Sequence, residues 1–216
     1  MINRIYFTLI KLTNRNLLSG LLLSSLIILP TAALAKYSPI RRVPPKESSR
    51  SGGKRGCPGE ERISLTVLAP RTFIGKTASI RPTLAWFSPK PQQTEVHVYE
   101  FDNNKISRTV AIKSIEKSEA KAGINQYKLS EDKTLVPGKK YLWQVLIPCV
   151  NGGNFMQKAE FEVVQESGKL KAQLANIASS SQKANIYARN ELWYEALEEA
   201  LQVSRQGKLG AVSLNL

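Results

Sequence analysis

One histidine and two cysteines among 216 residues leave little with which to build a reactive centre. Two cysteines and His97 fall short of the four ligands of a Cys/His zinc site, and no C-x-x-C spacing suggests dithiol redox chemistry. Any Ser-His-Asp or Cys-His machinery would have to run through His97. It lies in an alternating apolar stretch beside Tyr99 with no nucleophile-elbow motif near it, so it reads as a structural or surface histidine. Acids are also scarce, 17 Asp and Glu against 31 Lys and Arg. Glu60 and Glu61 follow a loop and Glu195, Glu198 and Glu199 ride a helix surface, whereas glycosidic carboxylates must face each other across a cleft. Asp102-Asn103-Asn104 lacks the glycine and distal glutamate of a calcium loop and reads as a turn. Gly52-Gly53-Lys54 lacks the spacing of a phosphate loop. Trp86, Trp143 and Trp193 occupy core-type positions rather than sugar-stacking ones. No catalytic residue, metal ligand or cofactor is expected.

Long apolar runs are also few, and the one present decides the compartment. Residues 17–29 carry no charge, follow Arg4, Lys11 and Arg15, and lead to Ala33-Leu34-Ala35. A basic flank, a short apolar core and small residues at −3 and −1 make a secretory signal peptide. Cleavage after Ala35 would leave 181 residues in the periplasm or outside the cell. The competing reading is a retained anchor, because the uncharged stretch 17–35 approaches the roughly 20 residues of a membrane span. Pro30 and the polar residues that dilute the run favour cleavage.

Net charge is +14, and the leader holds three of the positive charges and no acid, so about +11 stays with the mature chain. In an exported protein that excess points to anionic lipid or glycan surfaces or to an envelope protein, not to nucleic acid. It is concentrated in residues 36–56, where Lys36, Arg41, Arg42, Lys46, Arg50, Lys54 and Arg55 face a single acid, Glu47. Prolines and glycines punctuate this stretch, which reads as a disordered basic linker. It is either a plain spacer or an electrostatic hook. Cys57 and Cys149 both follow the leader, and an even pair in an oxidising compartment invites a disulfide. Closing so long a loop would stabilise the fold by about 4–5 kcal/mol in the chain-entropy picture.

Residues 57–165 read as an antiparallel β-sandwich of about seven short strands, and residues 166–206 as a short helical module before a flexible tail at 207–216, an α+β chain. Strands are expected at 63–68, 80–86, 95–101, 105–113, 124–129, 141–149 and 155–164, with a loop or single helical turn over 114–123. Asn151-Gly152-Gly153-Asn154 is a hairpin signal. The spacing of Leu135, Pro137, Gly138 and Tyr141 resembles the L-x-P-G-x-x-Y run of fibronectin type III domains, where the tyrosine forms a corner with the preceding connection. After Ser167-Gly168 the period turns helical, with an expected stripe of Leu170, Leu174, Ile177 and Ala178. A second stripe runs through Trp193, Ala196, Leu197, Ala200, Leu201 and Ser204, and the run from Tyr187 to Leu201 resembles the inner half of a tetratricopeptide repeat, with Tyr187, Trp193, Tyr194 and Leu197 as its expected interface. One such unit cannot bury both faces alone, so these residues pack on the sandwich or dock on a partner.

Arg55-Gly56-Cys57, 65–70, Gly75-Lys76-Thr77, Arg81-Pro82-Thr83, Gly138-x-x-Tyr141-x-Trp143, Cys149, Ala184-x-x-Tyr187-Ala188 and 192–197 occur in an order that resembles a cyanobacterial exported family, domain of unknown function 928. The resemblance spans about residues 55–205. It implies the same β-then-helical order and assigns no activity. Two function classes follow. The first is a non-enzymatic binding or scaffold module of the cell envelope, acting on a partner protein or anionic glycan. The second is a small hydrolase of envelope polymers with carboxylates yet to be identified.

Overall fold

The computed structural model describes residues 37, 39–40, 42–45, 65–102, 105–150 and 152–203, with the side chains of 102, 105–118 and 203 set aside. Among the described residues, eight strands and three helices follow one another: β1 (Thr66–Val67), β2 (Gly75–Thr77), β3 (Thr83–Ser88), β4 (Gln92–Asp102), β5 (Lys105–Ala120), β6 (Gly123–Lys128), β7 (Lys140–Pro148), β8 (Asn154–Val163), α1 (Gly168–Leu174), α2 (Ser180–Arg189) and α3 (Trp193–Val203). The chain is α+β. Three strands pair in the order β1-β3-β6 and five in the order β2-β8-β7-β4-β5.

Alternation explains why the middle strands share one core. On β7, Tyr141, Trp143, Val145 and Ile147 point inward together, as a period of two requires. They meet Val96 and Val98 of β4, Phe161 and Val163 of β8, and Leu84 and Trp86 from the three-stranded sheet in a single apolar cluster. Pro137-Gly138 makes the turn that starts β7, with Gly138 at a φ of 86° that favours glycine. The β7–β8 hairpin closes through Gly152 and Gly153, both at positive φ, as its sequence indicates.

Four expectations need correction. The five-stranded sheet is mixed rather than wholly antiparallel, because β2 runs parallel to β8, pairing Gly75 with Phe161 and Thr77 with Val163. Gly-Lys-Thr carries no hydrophobic alternation, so nothing local announces that strand. At the first strand, only Thr66–Val67 pairs with β3, while Ile63 lies outside the described residues. Residues 114–120 are not a loop: β5 continues to Ala120 against β4, setting Glu95 opposite Lys117 and Val96 opposite Glu116. Their charges suggested solvent, yet a strand can carry charges along an edge as readily as a loop can. Finally, α1 stops at Leu174, leaving Ile177 and Ala178 outside any helix. Ser179 then caps α2 by accepting from the Gln182 N–H, a competing role that ends the apolar stripe early.

Candidate functional site

A dense arrangement of specific contacts lies where α3 meets both sheets. Tyr194 is 1% exposed; its hydroxyl accepts from the Trp143 indole N–H at 3.1 Å, and its ring lies 5.2 Å from that of Phe161. Gly75 leaves room for it, since a Cβ there would come within 3.0 Å of the Tyr194 ring. The Trp193 indole N–H reaches the Leu68 carbonyl at 3.3 Å. One turn on, Leu197 and Leu201 cover Ala85 on the face of β3 opposite Trp86. Small residues at Ala85, Ala196 and Ala200, all fully buried, let helix and strand approach closely. Tyr187 is half-buried and packs on the main cluster. Of the expected helical interface, Tyr194 and Leu197 therefore pack on the β-sheets of their own chain, and Trp193 and Tyr187 on the apolar cluster continuous with them.

Two acids fix this seam. Glu195 Oε1 accepts from the Thr77 hydroxyl at 2.7 Å, from the Ala78 N–H at 2.7 Å and from the Ser79 N–H at 2.8 Å. Burial pushes its carboxyl above the usual range, against the lowering effect of those donors. Its Oε2 and the Oε2 of Glu199 are buried without a hydrogen-bond partner among the described residues. Glu191 occupies the turn between α2 and α3 at a φ of 61°, a left-handed conformation that costs a non-glycine residue of order 1 kcal/mol. Its carboxylate accepts from the Lys76 ammonium at 2.6 Å and from the Ile40 N–H. Partial burial alone would raise its pKa, but the Lys76 and Ile40 donors hold it below the ordinary value.

Ile40 belongs to a strap laid across the same corner, so the linker expected at 36–56 is not loose at its start. The Tyr37 ring stacks on Phe73 at 5.6 Å and meets Trp193 edge-on at 5.1 Å. Its hydroxyl donates to the Glu191 carbonyl at 2.8 Å, and the Val43 carbonyl accepts from Ile74 N–H at 2.8 Å. Composition pointed the other way because charge and proline dominate the stretch, while one aromatic ring at Tyr37 supplies the anchoring area. Of the seven basic-arm residues, Arg42 is described and exposed; Lys36, Arg41, Lys46, Arg50, Lys54 and Arg55 lie outside the described residues, as does Cys57.

A second polar group lies on the outer face of the five-stranded sheet. The Gln144 amide donates to Tyr99 Oη at 3.1 Å, and Tyr99 Oη lies 2.8 Å from His97 Nδ1. His97 Nε2 lies 3.1 Å from Glu95 Oε2. Glu95 also lines a depression of about 380 Å³ with Gln93, Thr94, Pro148, Cys149 and Val150. The described lining thus holds one carboxylate, whereas glycoside hydrolysis uses two. No cluster of three metal-ligating side chains occurs among the described residues.

At the expected corner, Tyr141 Oη accepts from the Val136 N–H at 2.9 Å, Leu135 is buried, and Pro137 and Gly138 form the intervening turn. Burial comes first among the causes that raise the Tyr141 pKa. Residues missed by sequence reasoning are Tyr37 and Glu191, while Glu195, expected on a helix surface, instead turns its carboxylate inward onto residues 77–79. An acid at the N-terminal turn of a helix is a normal helix-dipole feature, and nothing in its local sequence names a backbone 117 residues away as its partner.

No curated protein matches this chain. Among solved structures, it is similar to Astrotactin-2, described as a conserved vertebrate-specific and perforin-like membrane protein involved in neuronal development. Identity is 10% and the TM-score 0.31, over 70% of this chain and 37% of that one. Residues 50–210 match the family described as Domain of Unknown Function (DUF928). That match covers well over half of the sequence and includes both the β-sheets and the helices, and the protein therefore belongs to the DUF928 family.

Proposed function

We propose that the mature chain is an exported cell-envelope module that binds an anionic surface or partner without catalysis, through the basic stretch between its strap and its first strand. One observation carries this reading. The described chain is fastened at Val43, by Ile74, and again at Leu65, which is 3% exposed. Lys46, Arg50, Lys54 and Arg55 thus fall between two points fixed to one domain. A basic segment held at both ends presents its charge to a partner at a smaller entropic cost than a free arm does. The helical face offers no comparable surface, since Trp193, Tyr194 and Leu197 are occupied by the sheets.

The reading predicts binding of the mature protein to vesicles rich in anionic lipid, weakening steeply as salt shortens the Debye length. Replacing Lys46, Arg50, Lys54 and Arg55 together by Gln should weaken binding by at least about tenfold, at roughly 1 kcal/mol per cation near the surface before screening. These substitutions spare Tyr37, so the fold stays anchored. Vesicle co-sedimentation measures it; binding unaffected by salt or by the four substitutions would refute the proposal.

The architecture within this reading is a fibronectin type III-like sandwich. It is supported by the three-plus-five strand order and by the Tyr141 hydrogen bond to the segment before β7. A Cys57–Cys149 disulfide fits the same picture. Cys149 follows β7 and packs against the main cluster, where a bond would pin the far end of the basic stretch. In the oxidised mature protein, both thiols should resist alkylation under denaturing conditions until a reductant is added. Alkylation without reductant, read by intact mass, would refute the pairing.

A further inference from the structure

We infer that docking of the Tyr37 strap blocks removal of the leader, so that the leader must be cut before the domain closes. The inference rests on the export reading above. The Ala33-Leu34-Ala35 signature puts the scissile bond between Ala35 and Lys36, one residue before Tyr37. A peptidase takes its substrate as an extended strand, with backbone and alternate side chains on both sides of that bond seated in the enzyme. Tyr37 is the second residue on the departing side. In the folded domain it is 7% exposed, held between Phe73 and Trp193 and tied by its hydroxyl to the Glu191 carbonyl.

Three residues on, the Glu191 carboxylate grips the Ile40 N–H, and Lys76 holds that carboxylate from the other side. To reach the enzyme, Tyr37 must leave both aromatic partners. A folded precursor is therefore cut only from the small fraction in which the strap has opened. A chain still unfolded as it leaves the membrane has no such barrier. Order of events follows: a copy that is cut first folds with Tyr37 sealed on the helix–sheet corner, and a copy that folds first keeps its leader and stays at the membrane.

The test uses the full-length precursor in detergent with a purified signal peptidase, and a peptide spanning residues 26–42 as the unfolded reference. The folded wild-type precursor should be cut at least about tenfold more slowly than the peptide, the factor being set by the population of the open strap. Tyr37→Ala should recover most of that loss. Glu191→Gly should do the same: it removes the grip on Ile40 and relaxes the positive φ, without altering any residue the peptidase contacts. A folded wild-type precursor cut as fast as the peptide overturns the inference and leaves the export reading standing. A peptide that is not cut after Ala35 removes the export reading, and the inference with it.

Discussion

Replacing Tyr194 by Ala is expected to destabilise the protein by about 3–5 kcal/mol, the range for deleting a buried aromatic side chain. The ring touches Phe161, its hydroxyl takes the Trp143 indole N–H, and its edge fills the space left by Gly75. Its loss opens a cavity between α3, β2, β7 and β8 that rigid strands cannot collapse to fill. Tyr194→Phe separates the two contributions. It keeps the ring and leaves the buried Trp143 N–H without its acceptor, at a cost of about 1–3 kcal/mol. Both follow from urea denaturation of the mature protein. Since one apolar cluster contains Trp143, Phe161, Trp193 and Tyr194, the helical and strand signals in circular dichroism should be lost in a single transition, coincident with tryptophan fluorescence. A Tyr194→Ala cost below about 1 kcal/mol, or helices that melt separately, would show that α3 is an appendage rather than part of the core.

Removing the Glu195 carboxylate is expected to cost about 3 kcal/mol, because Glu195→Ala strands the Ala78 N–H and the Thr77 hydroxyl and leaves the Ser79 N–H with Thr77 Oγ1 as its remaining acceptor. The loss falls on residues 77–79, which leave β2 under α3, so parallel pairing of β2 with β8 weakens with it. The pH dependence has a defined sign. Burial raises the Glu195 pKa in the folded state, so the folded protein keeps a proton that the unfolded chain has already released. This group therefore favours folding at pH below its unfolded pKa and withdraws that stability as pH rises through its folded value. Glu191 acts in the opposite sense: with its folded pKa lowered, its contribution is present above the unfolded pKa and is lost as pH falls through the folded one. Glu195→Gln should flatten the first of these slopes while retaining an acceptor oxygen, and should cost less than Glu195→Ala. Denaturation midpoints measured from about pH 4 to pH 8, spanning the ordinary carboxylate range, decide it; a Gln variant with an unchanged slope, or an Ala variant as stable as wild type, would contradict this account.

Local pattern was a good guide wherever the deciding interaction lay within a few residues. Alternating Tyr141, Trp143 and Val145 announced β7, Pro137-Gly138 its turn, and Gly152-Gly153 the hairpin, because side-chain period and φ preference are properties of the segment itself. The helical period of 193–201 was equally plain. Charge misled over 114–120, where paired strands carry the same residues a loop would. Composition misled over 37–45, where one tyrosine ring outweighs a run of cations and prolines. Neither β2 nor the partners of Glu191 and Glu195 left any local trace.

The sequence alone determined the alternation of its longer strands, the helical tail, the excess of positive charge and the leader-like start, since each is written in composition or short-range period. Only the tertiary structure decided that Ala85 lies beneath Leu197 and Leu201, that Glu195 reaches Ala78 and Ser79, and that Tyr37 closes on Phe73 and Trp193. Those contacts join residues far apart in the chain. Apolar burial is roughly proportional to area and indifferent to sequence separation, so which surfaces meet is settled by the packing of the whole domain.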